Sequence, residues 1–389
     1  MDYTRSRLAF KIKKVVRYIR LYGVRRTLIK VRGQYHMNKR YETLPPMKIS
    51  ESRKKHVGII GCGNFAFSNI AFYLKKNYGA VIRACMDTHI EHAASLFETY
   101  DLLYYSDQAE KIIQDPSIDL VFIASNHASH AEYAIRALEQ NKSVHIEKPH
   151  VVTEDQLRRL VTEMLRSKGR VSVGFNRPNS PFGRAIKSYL DSQTGPAIYN
   201  WFIAGHEIPP DHWYFKEEEG GRVLGNLCHW IDFIYQLVPE GVRFPVEISP
   251  TPADNTGNGL AVAYRFADNT VAAITFSAKG HTFEGVRERF AAHRGDVLVA
   301  MEDFKTLTVE VVEKRITRNL LHRDHGHETA VRNSYALVRG NSVSSGCSPK
   351  YIWESGMLFL KTKEALERNA KVEVLAYENA GLEFAKNHS

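Results

Sequence analysis

The chain has 389 residues, 43% hydrophobic and 25% charged, ordinary values for a globular protein too long for one small core, so two domains are expected. Its four cysteines, Cys62, Cys85, Cys228 and Cys347, lie far apart with no CxxC pair, which argues against a zinc ribbon and a disulfide framework and fits a reducing, cytoplasmic compartment. Residues 1–55 hold 17 Lys or Arg against Asp2, Glu42 and Glu51, a surplus of 14, so of the net charge of +10 the remaining residues carry −4; no nucleic-acid partner is expected of a body that is mildly acidic.

Residues 6–32 read as a basic amphipathic helix, with Leu8, Ile12, Val15, Ile19 and Tyr22 at spacings of three and four. Gly23 breaks it, Val24 to Val31 resume it, and Gly33 with Pro45-Pro46 mark a linker. Two readings of this arm stand: packing on its own fold or a second subunit, or a peripheral contact with anionic lipid on the inner membrane face. No apolar run approaches the ~20 residues of a membrane span, and Lys and Arg interrupt every stretch that would make a secretory signal.

From His56 strands and helices alternate. Strands are expected at 56–60, 81–86, 102–105, 120–124, 143–146 and 171–175, and helices at 64–77, 90–100, 107–114, 128–139 and 153–167, with Thr153 as N-cap. Continuous apolar strands joined by helical crossovers make a doubly wound parallel sheet, an α/β Rossmann domain over 56–175. After Asn176 the texture turns strand-rich, at 198–204, 259–266, 270–277, 287–293 and 307–312, interrupted by helices at 225–236 and 351–367. The expectation for 176–389 is an α+β domain with an open mixed, largely antiparallel sheet.

Gly61-Cys62-Gly63-Asn64-Phe65-Ala66 directly follows the first strand and opens a helix, the context that gives a GxGxxA pattern its value. Gly61 permits the turn, Gly63 lets a pyrophosphate reach the backbone, and Ala66 is small enough for helix–strand packing. The phosphates would lie on the helix N-terminus. Asp87 ends the second strand, where a carboxylate accepts from adenosine ribose hydroxyls and repels a 2′-phosphate. NAD is therefore expected over NADP, with His89 keeping NADP in view.

The fifth strand ends in Glu147-Lys148-Pro149, which points Lys148 toward the crevice outside the strand ends, beside a bound nicotinamide. A surface lysine capping a strand is the competing reading. On the helix that follows Gly220-Gly221, Gly225, His229 and Asp232 share one face, and His229 with a carboxylate one turn away suits a proton shuttle. A structural His–Asp pair is the alternative there.

With both clusters in view the chain resembles the Gfo/Idh/MocA oxidoreductases over roughly residues 56–370. The resemblance rests on the GxGxxA turn, on the stretch from Val121 through Ser125, Asn126 and His130 to Glu147-Lys148-Pro149, and on the Gly-Gly … His-x-x-Asp helix. It implies that Lys148 and His229 act at the substrate, that Asn176 and Arg177 lie over nicotinamide or substrate, and that the second domain forms dimers or tetramers. One departure is visible: many sugar and inositol dehydrogenases of the family carry Asp four residues before the histidine, where this chain has Gly225 beside Asn226. Asn226 or Asp232 then orients the substrate, or the reaction is altered. Asp211-His212-Trp213 resembles members associated with polysaccharide biosynthesis, which suggests a nucleotide sugar or glycan precursor.

Arg177 suits a diphosphate or carboxylate, or an interdomain ion pair. His212 and Trp213 suit a sugar face or a core, and His206 and Glu207 are weaker candidates. The 17 histidines show no metal-ligand spacing, so no metal is expected. The sequence thus points to an NAD(P)-dependent sugar dehydrogenase or reductase, with catalytic Lys148, His229 and Asp232. Two alternatives stand beside it: a non-redox sugar enzyme using tightly bound NAD for transient oxidation, and an NAD-binding scaffold held at a membrane by the arm.

Overall fold

A computed structural model of the chain describes residues 7–48, 52–209, 211–252, 259–278, 283–339 and 346–377; residue 6, the expected start of the arm helix, lies outside them. The chain divides into two compact units. One comprises Met1–Ile19, Gly23–Phe175 and His327–Ile352, the other Arg20–Tyr22, Asn176–Gly326 and Trp353–Ser389.

The first unit is built on six parallel strands: β1 (Val57–Ile60), β2 (Ile82–Met86), β3 (Tyr104–Ser106), β4 (Leu120–Ile123), β5 (Ser143–Ile146) and β6 (Val171–Val173). Their spatial order, β3-β2-β1-β4-β5-β6, is that of a doubly wound dinucleotide-binding sheet. β1, β4 and β5 are buried at every residue, as strands covered on both faces must be. The chain order reverses between β1 and β4, so the strand ends on either side of that pair form the crevice where such sheets take ligands.

Two helices precede the sheet, α1 (Leu8–Tyr22) and α2 (Val24–His36), split at Gly23, whose φ of 80° interrupts helical geometry. Gly33 does not mark a linker, as its residue type suggested. It lies inside α2, where a side chain would collide with Asn64 Oδ1. The same helix sends Ile29 into the core with Val57, Ile59 and Phe67. The glycine is a close-approach residue, and helical periodicity carries α2 four residues past the expected end.

Among the described residues the second unit holds nine strands, which include β9 (Gly259–Arg265) and β13 (Thr306–Val311), in the order β14-β13-β12-β11-β7-β10-β9-β8-β15. The strands β7 (Ala197–Ala204) and β10 (Val271–Ser277) pair in parallel; every other neighbour is antiparallel, giving a mixed sheet. Alternate residues of β7, β10 and β11 (Arg287–Arg294) are buried, including Tyr199, Trp201, Ile203, Ile274 and Phe290. Their neighbours Ile198, Phe202 and Val271 face outward and are exposed, so one face of the sheet carries large apolar side chains in the open. Four strands were not expected from sequence: β8 (Val246–Pro252), β12 (Val297–Glu302), β14 (Lys314–Asn319) and β15 (Val372–Val374). β14 is exposed along its length and carries no apolar alternation to betray it.

Candidate functional site

The turn after β1 begins at Gly61, with φ of 88° and no room for a side chain: a Cβ there would lie 2.5 Å from the backbone of Ala124 and Ser125. Gly61 N–H donates to the Met86 carbonyl at 2.8 Å, tying the turn to β2. Gly63 is the opposite case, because a Cβ there meets nothing within 4 Å. A close backbone approach from outside is therefore open at Gly63 and filled by protein at Gly61. The expected helix starts at Asn64, passes through a π segment, Ala66–Ala71, and continues as α3 (Phe72–Tyr78). Single π turns of this kind concentrate at functional sites.

Asp87 follows the end of β2. Its Oδ2 accepts from the Cys62 N–H at 2.7 Å and its Oδ1 from the His89 N–H at 2.8 Å. Burial alone would raise its pKa, but the hydrogen bonds from His92 and from the two backbone N–H groups outweigh that and lower it. A carboxylate held ionised at this strand end retains lone pairs for ribose hydroxyls. His89 and His92 complete a cluster whose ligand-type atoms lie within 4.8 Å of one another. The bond to Asp87 raises the pKa of His92, which favours imidazolium, a form that cannot ligate a metal. The spread of histidines along the sequence gave no sign of this cluster.

His36, on α2, is the site feature that sequence reasoning missed. Its ring is buried, stacked on Phe67 with centroids 4.2 Å apart. Nε2 donates to the Cys62 carbonyl at 2.7 Å and Nδ1 accepts from the Ser95 hydroxyl at 2.9 Å. Burial pulls its pKa down to about 4, so the ring is neutral. Arg26, one face along α2, donates to the Ser68 carbonyl and to Asn69 Oδ1 in the π segment. The basic arm thus grips the outer side of the turn after β1 and of the π segment. A buried histidine at helical spacing from Ile29 and Gly33 was the available signal.

At the ends of β4 and β5, Ser125 pairs with Ser129 at 2.7 Å, and Ser129 donates to Asn126 Oδ1 at 2.6 Å. His130 opens no side chain to a cofactor. It is buried, with Nδ1 2.8 Å from the Pro149 carbonyl and Nε2 3.1 Å from that of Ser125. Burial lowers its pKa, which favours the neutral ring, whose single N–H serves one of these two carbonyls. Glu147 is also turned inward: Oε1 accepts from His145 Nε2 at 3.0 Å, and its carboxylate fills the space beside Gly174. His145 in turn pairs with the Ser334 hydroxyl at 2.7 Å. Both residues therefore brace the strand ends rather than reach over the crevice. Lys148, between buried Glu147 and Pro149, is half-buried at the end of β5.

The remaining candidates belong to the second unit. The helix expected from Gly225 starts at Gly221, passes through a π segment, Val223–Leu227, and becomes α4 (Cys228–Leu237), so Gly225 and His229 are related across a change of helical pitch and not along one α-helical face. His229 and Asn226 are half-buried; Asn226 Oδ1 accepts from the Tyr214 hydroxyl at 3.1 Å. Asp232 is buried and accepts from Gln236 Nε2 at 2.8 Å. Trp213 is 40% exposed, and His212 Nδ1 accepts from the Tyr214 N–H at 3.3 Å.

Asn176 and Arg177 are not presented to a ligand as expected. Asn176 is buried and donates to the His325 carbonyl at 2.7 Å. Arg177 pairs with Glu288 at 2.5 Å, inside the unit, and lies over the Trp230 ring. Glu288 also accepts from Trp230 Nε1 at 2.6 Å and contacts His325 at 3.1 Å. Burial would raise the Glu288 pKa, but the Arg177 and His325 charges and hydrogen bonds override it and hold the carboxyl ionised. No residue between 176 and 288 announces this pair in the sequence, because it joins elements 111 residues apart.

Residues 55–175 match the oxidoreductase family described as an NAD-binding Rossmann fold, GFO_IDH_MocA. The chain is 35% identical over 137 residues to oxidoreductase P35 of Formosa agariphila, covering 35% of this chain and 42% of that protein. It is 34% identical over 139 residues to an inositol 2-dehydrogenase of Pseudomonas savastanoi pv. phaseolicola, covering 35% and 41%. These alignments span about two fifths of the relatives' length. In fold, a levoglucosan dehydrogenase solved with NADH and L-sorbose superposes with a TM-score of 0.70 at 18% identity, over 83% of this chain and 99% of that one. An oxidoreductase domain protein from Kribbella flavida gives 0.71 at 15%, over 82% and 99%.

Proposed function

We infer that this chain, a member of the Gfo/Idh/MocA oxidoreductases by its residues 55–175, is an NAD-dependent dehydrogenase or reductase acting on a sugar or polyol hydroxyl and its ketone. The observation that carries this reading is the open approach at Gly63 beside the ionised Asp87, on a strand–turn–helix of dinucleotide-binding topology. The residues fit a dinucleotide: the N–H groups of the 61–66 turn would hold the pyrophosphate, Asp87 the adenosine ribose, and Ser125 and Asn126 the neighbouring strand end. Bound nicotinamide supplies or accepts the hydride. Asp87 favours NAD, since its charge opposes a 2′-phosphate. The sugar or polyol assignment follows the inositol and levoglucosan dehydrogenases among the relatives, and a nucleotide sugar or glycan precursor remains the narrower version of it.

Lys148 is the residue for the substrate oxygen: its ammonium donates to the hydroxyl and stabilises negative charge as the carbonyl forms. His229 takes the hydroxyl proton on oxidation and returns it on reduction. Asp232, buried on α4 and bonded to Gln236, is the carboxylate one turn from His229 that would orient it. Trp213 offers an indole face to the C–H side of a pyranose, and Asn226, fixed by Tyr214, stands beside Gly225, the position at which the resemblance places an acid. The exposed apolar side chains of the nine-stranded sheet are the surface for self-association. Lys148→Ala and His229→Ala are each expected to lower kcat roughly a hundredfold while leaving NADH affinity unchanged, the size of a general acid–base contribution. Near-normal turnover in both variants would refute the assignment.

A further inference from the structure

Arg222, in the second unit, is 6% exposed, yet among the described residues it forms no ion pair. Its Nη2 donates to the His206 carbonyl at 3.5 Å, the outer limit of a hydrogen bond, and its buried Nε has no acceptor. Two aromatic rings flank the guanidinium, Phe215 with its centroid 5.4 Å from the central carbon and Phe276 at 5.9 Å. A ring attracts a cation by its face but gives no acceptor to the N–H edge. Burial lowers the pKa of Arg222, and the opposing pull of Tyr214 and of the exposed Glu207 does not cancel that. A buried guanidinium is ordinarily matched by a carboxylate, as Arg177 is matched by Glu288 in the same unit.

The surroundings of Arg222 are open to a ligand on one side. At Gly221, directly before it, a Cβ would meet nothing within 4 Å. Tyr214 donates its hydroxyl to Asn226 Oδ1, and its ring lies 5.4 Å from that of the exposed Trp213. One short segment, Trp213–Phe215, therefore touches both Asn226 and Arg222. Arg222 itself stands on the helix that starts at Gly221 and carries His229. We propose that Arg222 binds an oxyanion, a carboxylate or a phosphate, carried by the substrate. Its fork of N–H donors matches either group, and the anion supplies the charge that the fold leaves out. A neutral polyol would bury the guanidinium further and leave it unpaired. The proposal rests on the dehydrogenase reading for the ligand's being the substrate, and it narrows that substrate to acidic or phosphorylated sugars and polyols.

Calorimetric titration of glucuronate, glucose-6-phosphate and glucose into the full chain, with NADH present, is the test. At least one of the two anions should bind with a Kd about tenfold or more below that of glucose, the scale of a charge-assisted hydrogen bond. Preference for glucuronate alone assigns a carboxylate, and preference for the phosphate alone a phosphate. Arg222→Met should erase the preference. In the ligand-free chain the same substitution should keep or raise the thermal midpoint, because it removes an uncompensated buried charge, whereas loss of an arginine paired within the fold lowers it. Only binding is measured, so a failure here is separate from an absence of hydride transfer, and an anion preference without hydride transfer would remove the dehydrogenase while keeping the anion site. The proposal is overturned if neither anion binds more tightly than glucose, if the preference survives in Arg222→Met, or if ligand-free Arg222→Met melts lower than the native chain or does not fold.

Discussion

Gly61 and Gly63 sit two residues apart in one turn, and their substitution by alanine should fail in opposite ways. At Gly61 a methyl group is forced onto a φ of 88° and to within 2.5 Å of the Ala124 and Ser125 backbone. Positive φ costs a non-glycine residue about 1–2 kcal/mol. Backbone atoms cannot rotate away, so the clash adds about 1–3 kcal/mol of overpacking. Gly61→Ala should therefore lose about 2–5 kcal/mol in urea unfolding. At Gly63 a Cβ meets nothing within 4 Å and φ is not positive, so Gly63→Ala should keep its stability or gain about 0.4–1 kcal/mol from reduced freedom of the unfolded chain. The same methyl stands where the pyrophosphate must approach, and NADH, followed by fluorescence titration, should bind at least tenfold more weakly, about 1.4 kcal/mol. Undiminished NADH affinity in a stable Gly63→Ala would refute the placement of the dinucleotide on this turn.

Asp87→Ser should move coenzyme preference toward NADPH by tenfold or more in the ratio of Michaelis constants, since the carboxylate that opposes a 2′-phosphate is gone; an unchanged ratio would remove Asp87 from ribose recognition. Arg177→Ala strands the Glu288 carboxylate inside the second unit and should cost about 3–5 kcal/mol of stability, read by urea unfolding, because an unpaired buried charge is left behind. His36 is held near pKa 4 in the folded chain against an ordinary 6.5, so the unfolded state takes up the proton first and stability falls as pH drops from about 6.5 toward 4, by up to roughly 3 kcal/mol. His150, also near 4, acts with the same sign, so His36→Phe should remove only part of that slope; an unaltered pH profile would contradict the buried neutral ring.

The Rossmann half was legible because its signals are local. Short, mostly buried runs mark the parallel strands, and the glycine turn, Asp87 and Glu147-Lys148-Pro149 each follow one. The orientation of side chains was not legible. Glu147 and Lys148 are neighbours, yet one turns to His145 while the other stays half-buried at the strand end, a choice made by Gly174 and Ser334 far along the chain. Arg177 reads as an anion ligand until Glu288 is brought beside it. The arm misled for a related reason: Gly33 looks like a chain break, and only packing against Asn64 explains it as a residue of a continuous helix. The π turns at Ala66–Ala71 and Val223–Leu227 change helical pitch with no residue pattern that announces it.

The central claim is that this chain moves hydride between a nicotinamide and a sugar or polyol. The direct measurement is the absorbance of reduced nicotinamide during incubation with a panel of polyols, pyranoses and nucleotide sugars, with NAD or NADH in excess. Net formation or loss of NADH with at least one of them, slowed roughly a hundredfold by Lys148→Ala, is the predicted result. Conversion of a sugar with bound NAD and no net change in that absorbance would contradict the account and point to transient oxidation instead.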